Sequence, residues 1–172
     1  MNSLKNELYK LIKKDLSIFE FIQDHMLDGI WYMDLDDDKN EWVSERFWQL
    51  FGYDIKNSEN SELRWKNLVH PDDLNMMNEN LEKHLLNPEY PFDQIIRFTH
   101  KDNSTVWVRC RGIAIRDASG MPYRILGLHQ DITLLKQQEM IISEQNKQFE
   151  IALNKLKEVS EKDSLTNLNN RR

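Results

Sequence analysis

The residue types that most often carry chemistry are scattered in this chain. Its five histidines are His25, His70, His84, His100 and His129. They lack the short helical or turn spacing that groups the ligands of a metal site. Cys110 has no histidine near it in sequence to form a nucleophilic pair, and Asp36 to Asp38 have the pattern of a solvated turn. We therefore expect neither a catalytic residue nor a metal site here.

Composition and charge narrow the class of protein. At 172 residues, with 40% hydrophobic and 30% charged residues, the chain can hold one hydrophobic core and several exposed helices. A net charge of −6, with scattered Lys and Arg, argues against nucleic-acid binding. No apolar run approaches the roughly 18 residues of a membrane span, and the N-terminus lacks a signal pattern. The single cysteine fits a reducing compartment, so we expect a cytoplasmic protein.

Two helices are predicted before the main block of strands. Apolar residues at near-helical spacing predict an amphipathic N-terminal helix over residues 1–22. A second helix follows the turn at residues 70–73 and runs to Leu86. The carboxylate of Asp72 or Asp73 is the expected N-cap, because it can accept from the unpaired N–H groups at the helix start.

Five runs rich in β-forming residues predict an antiparallel sheet. They are Ile30–Leu35, Glu41–Ser44, Phe92–Thr99, Thr105–Ile115 and Tyr123–Ile132. Turn-forming residues at 101–104 and 117–120 join the last three runs as hairpins. Strands and short helices in this order predict an α+β domain.

Three motifs in sequence order resemble a known family. Trp65-Lys-Asn-Leu-Val-His-Pro-Asp-Asp73 is followed by Trp107-Val-Arg-Cys-Arg-Gly112 and then by Gly127-Leu-His-Gln-Asp-Ile-Thr133. Together they resemble PAS sensor domains of the type that ends in a D-I-T motif, over residues 23–133. The resemblance implies a PAS fold, in which a five-stranded antiparallel sheet and central helices enclose a pocket. Asn103 stands where the family commonly has Gly, and Asn best tolerates the positive φ of that turn after Gly.

The likeness to flavin-binding relatives also implies which strand residues face the pocket. These are Gln94, Ile96, Phe98, Val108, Cys110, Gly112, Ile125, Gly127 and His129. The outer face then carries Ile95, Arg97, Trp107, Arg109, Arg111, Leu126 and Leu128. An outer face with three large apolar side chains is too apolar to stay in contact with water. The N-terminal helix or a second chain is therefore expected to cover it.

Gln94, Cys110 and His129 are the polar groups among the inward positions. Burying each of them unpaired would cost on the order of 1–3 kcal/mol, so each is expected to have a partner. That partner is a ligand, ordered water or a neighbouring hydroxyl, and His129 could instead be a core histidine satisfied by backbone. The identity and the existence of a ligand stay open.

The familiar PAS cofactors leave sequence traces. Covalent flavin chemistry in this family needs a reactive cysteine in the helical segment, whereas Cys110 lies on a predicted strand. Haem needs an axial ligand on the long helix, for which His84 is the candidate in a charged stretch. His70 fits a capping role in its turn better. Non-covalent FAD, a small organic ligand and no ligand stay open, and the last two are favoured.

A linker helix with a coiled-coil seam is predicted over residues 134–162. Its seam residues, which recur every seven positions, are Leu135, Ile142, Phe149 and Leu156. The companion positions are polar first and apolar later, which predicts a weak dimer; a single surface helix is the alternative. The D-I-T end is the expected mechanical joint, where Asp131 pairs with Arg109 or Arg111 and Thr133 caps the helix.

Residues 163–172 resemble a second family. Their sequence, Asp-Ser-Leu-Thr-Asn-Leu-Asn-Asn-Arg-Arg, resembles the D-x-L-T-x-L-x-N-R-R opening of GGDEF domains, which pair to condense two GTP molecules into cyclic di-GMP. The resemblance implies that this chain is the sensing, non-catalytic part of a longer diguanylate cyclase. It should form a homodimer through the N-terminal helix, the outer sheet face and the linker. The alternatives are a ligand-free dimerisation scaffold and a PAS domain that regulates a degenerate, nucleotide-binding GGDEF domain.

Overall fold

The computed structural model describes residues 3–26, 28–37, 40–54 and 64–169, with side chains up to Val159 in the last helix. The helices are α1 (Ser3–Lys14), α2 (Leu16–Met26), α3 (Glu45–Leu50), α4 (Pro71–Leu86) and α5 (Thr133–Asn169), and Trp65–Leu68 forms a 3₁₀ turn. The strands are β1 (Gly29–Asp34), β2 (Glu41–Val43), β3 (Phe92–Thr99), β4 (Thr105–Arg116) and β5 (Pro122–Asp131).

All five strands form one antiparallel sheet in the order β2-β1-β5-β4-β3. The predicted α+β fold with a five-stranded sheet is therefore confirmed. The predicted bounds of β3 are the observed ones; β2 and β4 differ by one residue at one end, and β1 and β5 by one residue at both ends. Asn103 has φ 69° in the β3–β4 turn, as its place in the sequence predicts.

The core lies between the inner face of the sheet and the helices that follow β2. Its largest fully buried side chains are Phe47, Phe51, Phe98, Ile96, Ile125 and Val108. Phe47 packs edge-on against Phe51, with ring centroids 4.9 Å apart, and Phe51 stacks on Phe98 at 4.8 Å. These rings join α3 to β3, so the sheet is fixed on its inner side by aromatic packing.

The predicted single helix at the N-terminus is wrong. Two helices, α1 and α2, are separated at Asp15, whose carboxylate accepts a hydrogen bond from the Ser17 N–H at 2.9 Å. A short acidic side chain competes well for the first N–H groups of a helix, and that favours a new start at this point. The α2 helix continues to Met26, beyond the predicted end at residue 22.

The predicted N-cap of α4 is also wrong. His70 occupies the N-cap, its Nδ1 accepts from the Asp72 N–H at 3.3 Å, and Pro71 takes the first helical position. Asp73 instead accepts from the Arg97 N–H and Nε on β3, at 2.8 Å and 3.0 Å. The hydrogen bonds from Arg97 outcompete the N–H groups at the helix start for this carboxylate. They connect α4 to β3.

The two described units divide between Thr133 and Leu134. In the second unit, α5 continues to Asn169, so the predicted end of the linker helix at residue 162 is too early. Seven residues with the sequence pattern of the GGDEF opening, 163–169, are helical, and residues 170–172 lie outside the described part. Among the described helices, none has the length and hydropathy needed to cross a membrane.

Candidate functional site

The inner face of the sheet carries the residues predicted to face a pocket. Eight of the nine are buried, and these are Gln94, Ile96, Phe98, Val108, Cys110, Ile125, Gly127 and His129. Antiparallel partners share a face, which explains why Gln94 pairs with Cys110 and Cys110 with His129 on the same side. We call this line of three residues the polar row.

A small cavity lies on this face, with a volume of about 30 Å³. Four predicted residues line it: Ile96, Phe98, Cys110 and His129. The other lining residues are Trp31, Met33, Val43, Phe47, Trp65, Met77, Leu81 and Phe92. A space of this size holds about two water molecules, since one water needs roughly 10–15 Å³ measured in this way.

Two glycines in the middle of the sheet allow aromatic rings to lie against its backbone. Gly112 and Gly127 are in register, with Phe92 paired to Gly112 and Trp31 to Gly127. A Cβ at Gly127 would stand 2.0 Å from Cε2 and Cζ2 of Trp31, and one at Gly112 would stand 2.9 Å from Cδ1 of Phe92. We call these four residues the glycine row, and only glycine at its centre leaves room for the two rings.

Three buried polar atoms in the described part of the chain have no hydrogen-bond partner. They are Trp31 Nε1, Gln94 Nε2 and His129 Nδ1. The other end of the Gln94 amide is held, because Asn80 Nδ2 donates to its Oε1 at 2.9 Å. His129 is packed among rings instead, with centroids 4.9 Å from Phe47 and 5.7 Å from Phe98. The backbone partner expected for a purely structural His129 is not found at Nδ1.

Burial keeps both titratable groups of the polar row neutral. It lowers the pKa of His129 to about 3 and raises the pKa of the Cys110 thiol to about 12. The Trp31 indole beside the sulfur opposes the Cys110 shift only in part. A thiol sulfur is a weak acceptor, so this contact does not replace a full hydrogen bond for Trp31 Nε1.

The residues at the end of β5 form the joint, defined as Asp131, Ile132 and Thr133. The Trp107 backbone of β4 holds it twice: its N–H donates to Thr133 Oγ1 at 2.9 Å, and its carbonyl accepts from the Ile132 N–H at 2.8 Å. The Asp131 N–H donates to Asp28 Oδ2 at 2.8 Å, just before β1. The joint is thus held by Trp107 of β4 on one side of β5 and by Asp28, which precedes β1, on the other.

The predicted pairing of Asp131 with Arg109 or Arg111 is wrong. Asp131 is in register with Val108 and shares its face of the sheet, whereas the neighbouring arginines point to the other face. Arg109 forms a fork with Asp93 instead, with Nε–Oδ1 at 2.7 Å and Nη2–Oδ2 at 2.5 Å. This hydrogen bonding holds the pKa of the Asp93 carboxyl below its ordinary value.

Capping at the joint also differs from the prediction. Asp131 Oδ1 accepts from the Thr133 N–H at 2.8 Å, so the carboxylate takes the role predicted for the threonine hydroxyl. The hydroxyl is used for Trp107. Both residues bond at the joint, but neither does so in the role that the sequence predicted.

A family comparison decides what this fold is. The family model described as PAS fold matches residues 40–129, more than half of the 172-residue chain. The chain belongs to the PAS family. No curated protein matches it.

Solved structures similar to this PAS domain come from several kinds of protein. One is a sensory box histidine kinase/response regulator from Burkholderia thailandensis, with 24% identity, a TM-score of 0.61 and coverage of 76% of this chain and 96% of that chain. Another is the N-terminal domain of a diguanylate cyclase with PAS/PAC sensor from Marinobacter aquaeolei, at 22% identity and a TM-score of 0.51, covering 63% and 97%. The blue-light photoreceptor Aureochrome1 LOV domain has 16% identity and a TM-score of 0.50, covering 70% and 93%. At these identities the likeness shows the fold alone.

The described residues of this PAS domain do not fit the larger family cofactors in their present arrangement. The cavity of about 30 Å³ is an order of magnitude below the roughly 300 Å³ at which drug-sized ligand pockets begin. His84 has both ring nitrogens engaged: Nδ1 with the Tyr90 carbonyl at 2.5 Å and Nε2 with the Ala114 N–H at 3.1 Å. A haem iron would have to break one of these bonds, and His84 does not line the cavity.

Sequence reasoning missed Trp31 and Phe92. Both lie on the glycine row and line the cavity, while the predicted residues Gln94, Val108 and Ile125 are buried beside it without lining it. The available signal was the pair Gly112 and Gly127 inside two strands, since glycine there commonly marks a close approach of another group. A ligand role for any of these residues stays a prediction.

The predicted dimer residues are accessible. The seam residues of α5 have exposed fractions of 53% at Leu135, 57% at Ile142, 66% at Phe149 and 66% at Leu156.

Four residues in register across four strands lie on the outer face of the sheet, and we call them the outer row: Trp42, Tyr32, Leu126 and Ile113. Each of the four is at least 36% exposed. Arg97 lies over the Trp107 ring at 5.9 Å, so that ring is partly covered.

Proposed function

We propose that this chain is the sensory and dimerisation module of a diguanylate cyclase, and that it controls cyclic di-GMP synthesis through α5. The observation that carries the proposal is the joint, where one backbone turn belongs both to β5 and to the start of the output helix. A PAS domain with such a joint can pass a change in its sheet to the helix without an additional element. GTP as the substrate would make the cytoplasm its expected location.

The path from the cavity to the joint is short. His129 precedes Asp131 by two residues on β5, and its backbone carbonyl accepts from the Asp28 N–H at 3.2 Å. Asp28 also holds the Asp131 N–H through its carboxylate. A displacement of β5 at His129 therefore acts on both bonds of Asp28 and on the carboxylate that holds the first N–H of α5.

Dimerisation through the seam is expected to be weak by itself. Four apolar layers contain eight side chains, and at roughly 1.5–3 kcal/mol for each when fully buried they give at most roughly 12–24 kcal/mol. Association costs an estimated 4–15 kcal/mol, and the polar companion positions Gln138 and Gln145 keep the first half of the seam partly hydrated, so the net gain is small. The outer row supplies the further apolar area that a stable pair of chains needs. A second copy of this chain is the proposed partner for both surfaces.

The choice of a cyclase as the output rests on sequence. Residues 163–172 resemble the GGDEF opening, and a diguanylate cyclase with a PAS/PAC sensor is among the similar structures. Two GGDEF domains must face each other for the product to form, and a dimeric helix is a direct way to bring them together. The alternative of a degenerate domain that only binds nucleotide shares this geometry, and loss of GTP turnover with retained nucleotide binding would identify it.

A second candidate function is a ligand-free dimerisation scaffold. The small cavity and its closely packed aromatic lining favour it, because a filled core leaves little to sense. In that case native mass spectrometry of the purified chain would find no bound molecule, and added ligands would leave its stability unchanged.

The relay through the seam is tested with one charge placed on α5. Phe149→Glu puts a carboxylate in the seam, and Ile151→Glu places the same charge two residues away, on the opposite side of the helix. Phe149 and Ile151 are 66% and 47% exposed, so neither change should affect folding of the chain. In the protein that contains this chain and the predicted cyclase domain, Phe149→Glu is expected to shift the dimer to monomer and lower cyclic di-GMP output, while Ile151→Glu keeps both. Unchanged output from Phe149→Glu would refute the relay.

A further inference from the structure

The Trp31 indole lies directly against the sheet backbone at Gly127. Its indole is so close to the β5 backbone that a methyl group at Gly127 would overlap the ring, with Nε1 at 2.5 Å from the Cβ position. Phe92 closes the other end of the glycine row edge-on, at a centroid distance of 6.1 Å and an angle of 78°. The two glycines therefore leave a shallow bay above the sheet backbone, and the indole of Trp31 occupies it.

The unpaired polar atoms lie around this bay. Gln94 and His129 stand two residues along their strands from Phe92 and Gly127, so the polar row and the glycine row are neighbours about 7 Å apart. Gln94 Nε2 is a hydrogen-bond donor without an acceptor, and Trp31 Nε1 has only the weakly accepting Cys110 sulfur beside it. Side chains of Trp31, Gln94 and His129 are all more than nine-tenths buried, with exposures of 8%, 7% and 5%. Closed in this way, the site leaves three costly groups unsatisfied.

We propose that Trp31 is a built-in plug of a binding site on the glycine row, and that this site takes a small, uncharged, flat aromatic molecule carrying a hydrogen-bond acceptor. The bay favours a flat ligand, because its floor is backbone without side chains. The unpaired donors favour a ligand that carries a hydrogen-bond acceptor. Among the described residues, those that line the cavity include no acidic side chain, lysine or arginine, which disfavours a charged ligand.

Entry of the ligand displaces the indole from Gly127. The ligand's acceptor then takes a hydrogen bond from Gln94 Nε2, from His129 or from the displaced Trp31 Nε1. Because Trp31 lies on β1 and pairs with Gly127 of β5, the displacement occurs between the two strands that meet Asp28 and the joint. This inference deepens the sensory part of the proposed function. It is tested on this chain without any cyclase, so that either idea can fail without the other.

The experiment compares two probes of the same shape, quinoline and naphthalene, of which only quinoline has an acceptor nitrogen. The variant Trp31→Ala removes the plug and leaves an indole-sized space. Isothermal titration at pH 7.5 is expected to show quinoline binding to Trp31→Ala roughly five- to tenfold tighter than naphthalene, the value of about one net hydrogen bond. Wild type should bind quinoline more weakly than Trp31→Ala, because its plug competes.

Two further variants in the Trp31→Ala background locate the binding. Adding Gly127→Ala places a methyl group on the floor of the bay without a ring to clash with, and should weaken binding of both probes. Adding Gln94→Leu should remove much of the preference for quinoline and leave naphthalene binding intact. Equal binding of the two probes, or binding that ignores Gly127→Ala, would overturn the proposal.

If Trp31→Ala does not fold, an NMR titration of the wild-type chain tests the proposal instead. The Trp31 indole N–H signal is assigned in a ¹⁵N–¹H spectrum by its loss in Trp31→Phe. Adding millimolar quinoline to the wild-type chain should shift this signal, and leave those of Trp42 and Trp107 on the outer face in place. A Trp31 signal that does not move would contradict the plug.

Discussion

Two buried histidines in this PAS domain have opposite surroundings. His84 is 6% exposed and His129 is 5% exposed. His84 uses both ring nitrogens, with the Tyr90 carbonyl on one side and the Ala114 N–H on the other. His129 has rings around it and an unpaired Nδ1. Two histidines that are equally buried therefore have different roles. His84 stabilises the fold through its hydrogen bonds, whereas His129 lies in a region whose polar groups lack partners.

The position of His84 explains why it is fully bonded. Strand β4 continues past Gly112, the last residue that β3 pairs with, so the Ala114 N–H has no strand beside it on that edge. The His84 ring takes the place of the missing strand. Arg116 strengthens the same corner, because its Nη2 donates to the carbonyls of His84 and Leu85 at 3.0 Å and 2.9 Å at the end of α4.

The largest expected effect follows from breaking this corner. His84→Leu keeps the volume and the apolar contacts but leaves the Tyr90 carbonyl and the Ala114 N–H without partners. We expect a loss of about 2–4 kcal/mol in the free energy of unfolding. His129→Phe is the matched control, and should change it by less than about 1 kcal/mol because no hydrogen bond at Nδ1 is lost. Urea unfolding of the two variants measures both values, and equal losses would remove the contrast between the histidines.

The second prediction uses pH to sharpen the comparison. The folded state holds the pKa of His129 at about 3, well below the ordinary value of about 6.5 in the unfolded chain. Below pH 6.5 the unfolded state therefore binds a proton that the folded state does not, and stability falls as the pH falls towards the folded pKa. The slope approaches 1.4 kcal/mol per pH unit, or about 2 kcal/mol between pH 6 and pH 4.5.

His129→Phe is the control for this pH dependence. Cys110, which faces His129 from β4, has its pKa raised to about 12 and stays neutral throughout this range. The carboxyls of Asp73 and Asp93 have lowered pKa values and contribute to acid instability only at lower pH. The variant should therefore lose much less stability than wild type between pH 6 and pH 4.5. Parallel pH profiles of the two proteins would show that His129 is protonated in the folded state.

The smallest expected effect compares two arginine forks. The Asp73–Arg97 fork is partly buried, with the Asp73 side chain 11% exposed, whereas Asp93 and Arg109 are 33% and 44% exposed. Asp73→Asn should lower the urea midpoint more than Asp93→Asn, because solvent screens the exposed pair and Asp73 also accepts from the Arg97 N–H. An equal drop in the urea midpoint for Asp93→Asn would contradict this prediction, because the exposed Asp93–Arg109 pair would then stabilise the fold as much as the Asp73–Arg97 pair does.

Sequence patterns predicted the sheet well because strand alternation and turn residues are local properties. The bounds of β3 and the hairpin at Asn103 follow from a few neighbouring residues, whereas the inward position of His129 also needed the family resemblance to choose between the two faces. The failures concern side chains with a choice of partner. Asp72 or Asp73 was expected to cap α4, but Asp73 binds Arg97, which is 24 residues away, and His70 caps the helix instead.

Predicting the site residues also required the register between strands that are distant in sequence. Asp131 faces the same side as Val108, a fact of register that spacing along one strand does not reveal. Trp31 was missed because it lies on β1, far in sequence from the two glycines that make room for its ring. Alternation together with the family resemblance predicted the polar row, whereas the plug required the distance from Gly127 to a ring 96 positions earlier in the chain.

The central claim is that the inner face of the sheet is built to bind a ligand at the polar row and the glycine row. The most direct test is ¹⁵N NMR of the histidine ring nitrogens at pH 7.5, with and without quinoline. The account predicts that the His129 ring signals shift, while those of His84, held by Tyr90 and Ala114, stay in place. Signals of His129 that do not respond, or a response of His84 in their stead, would contradict it.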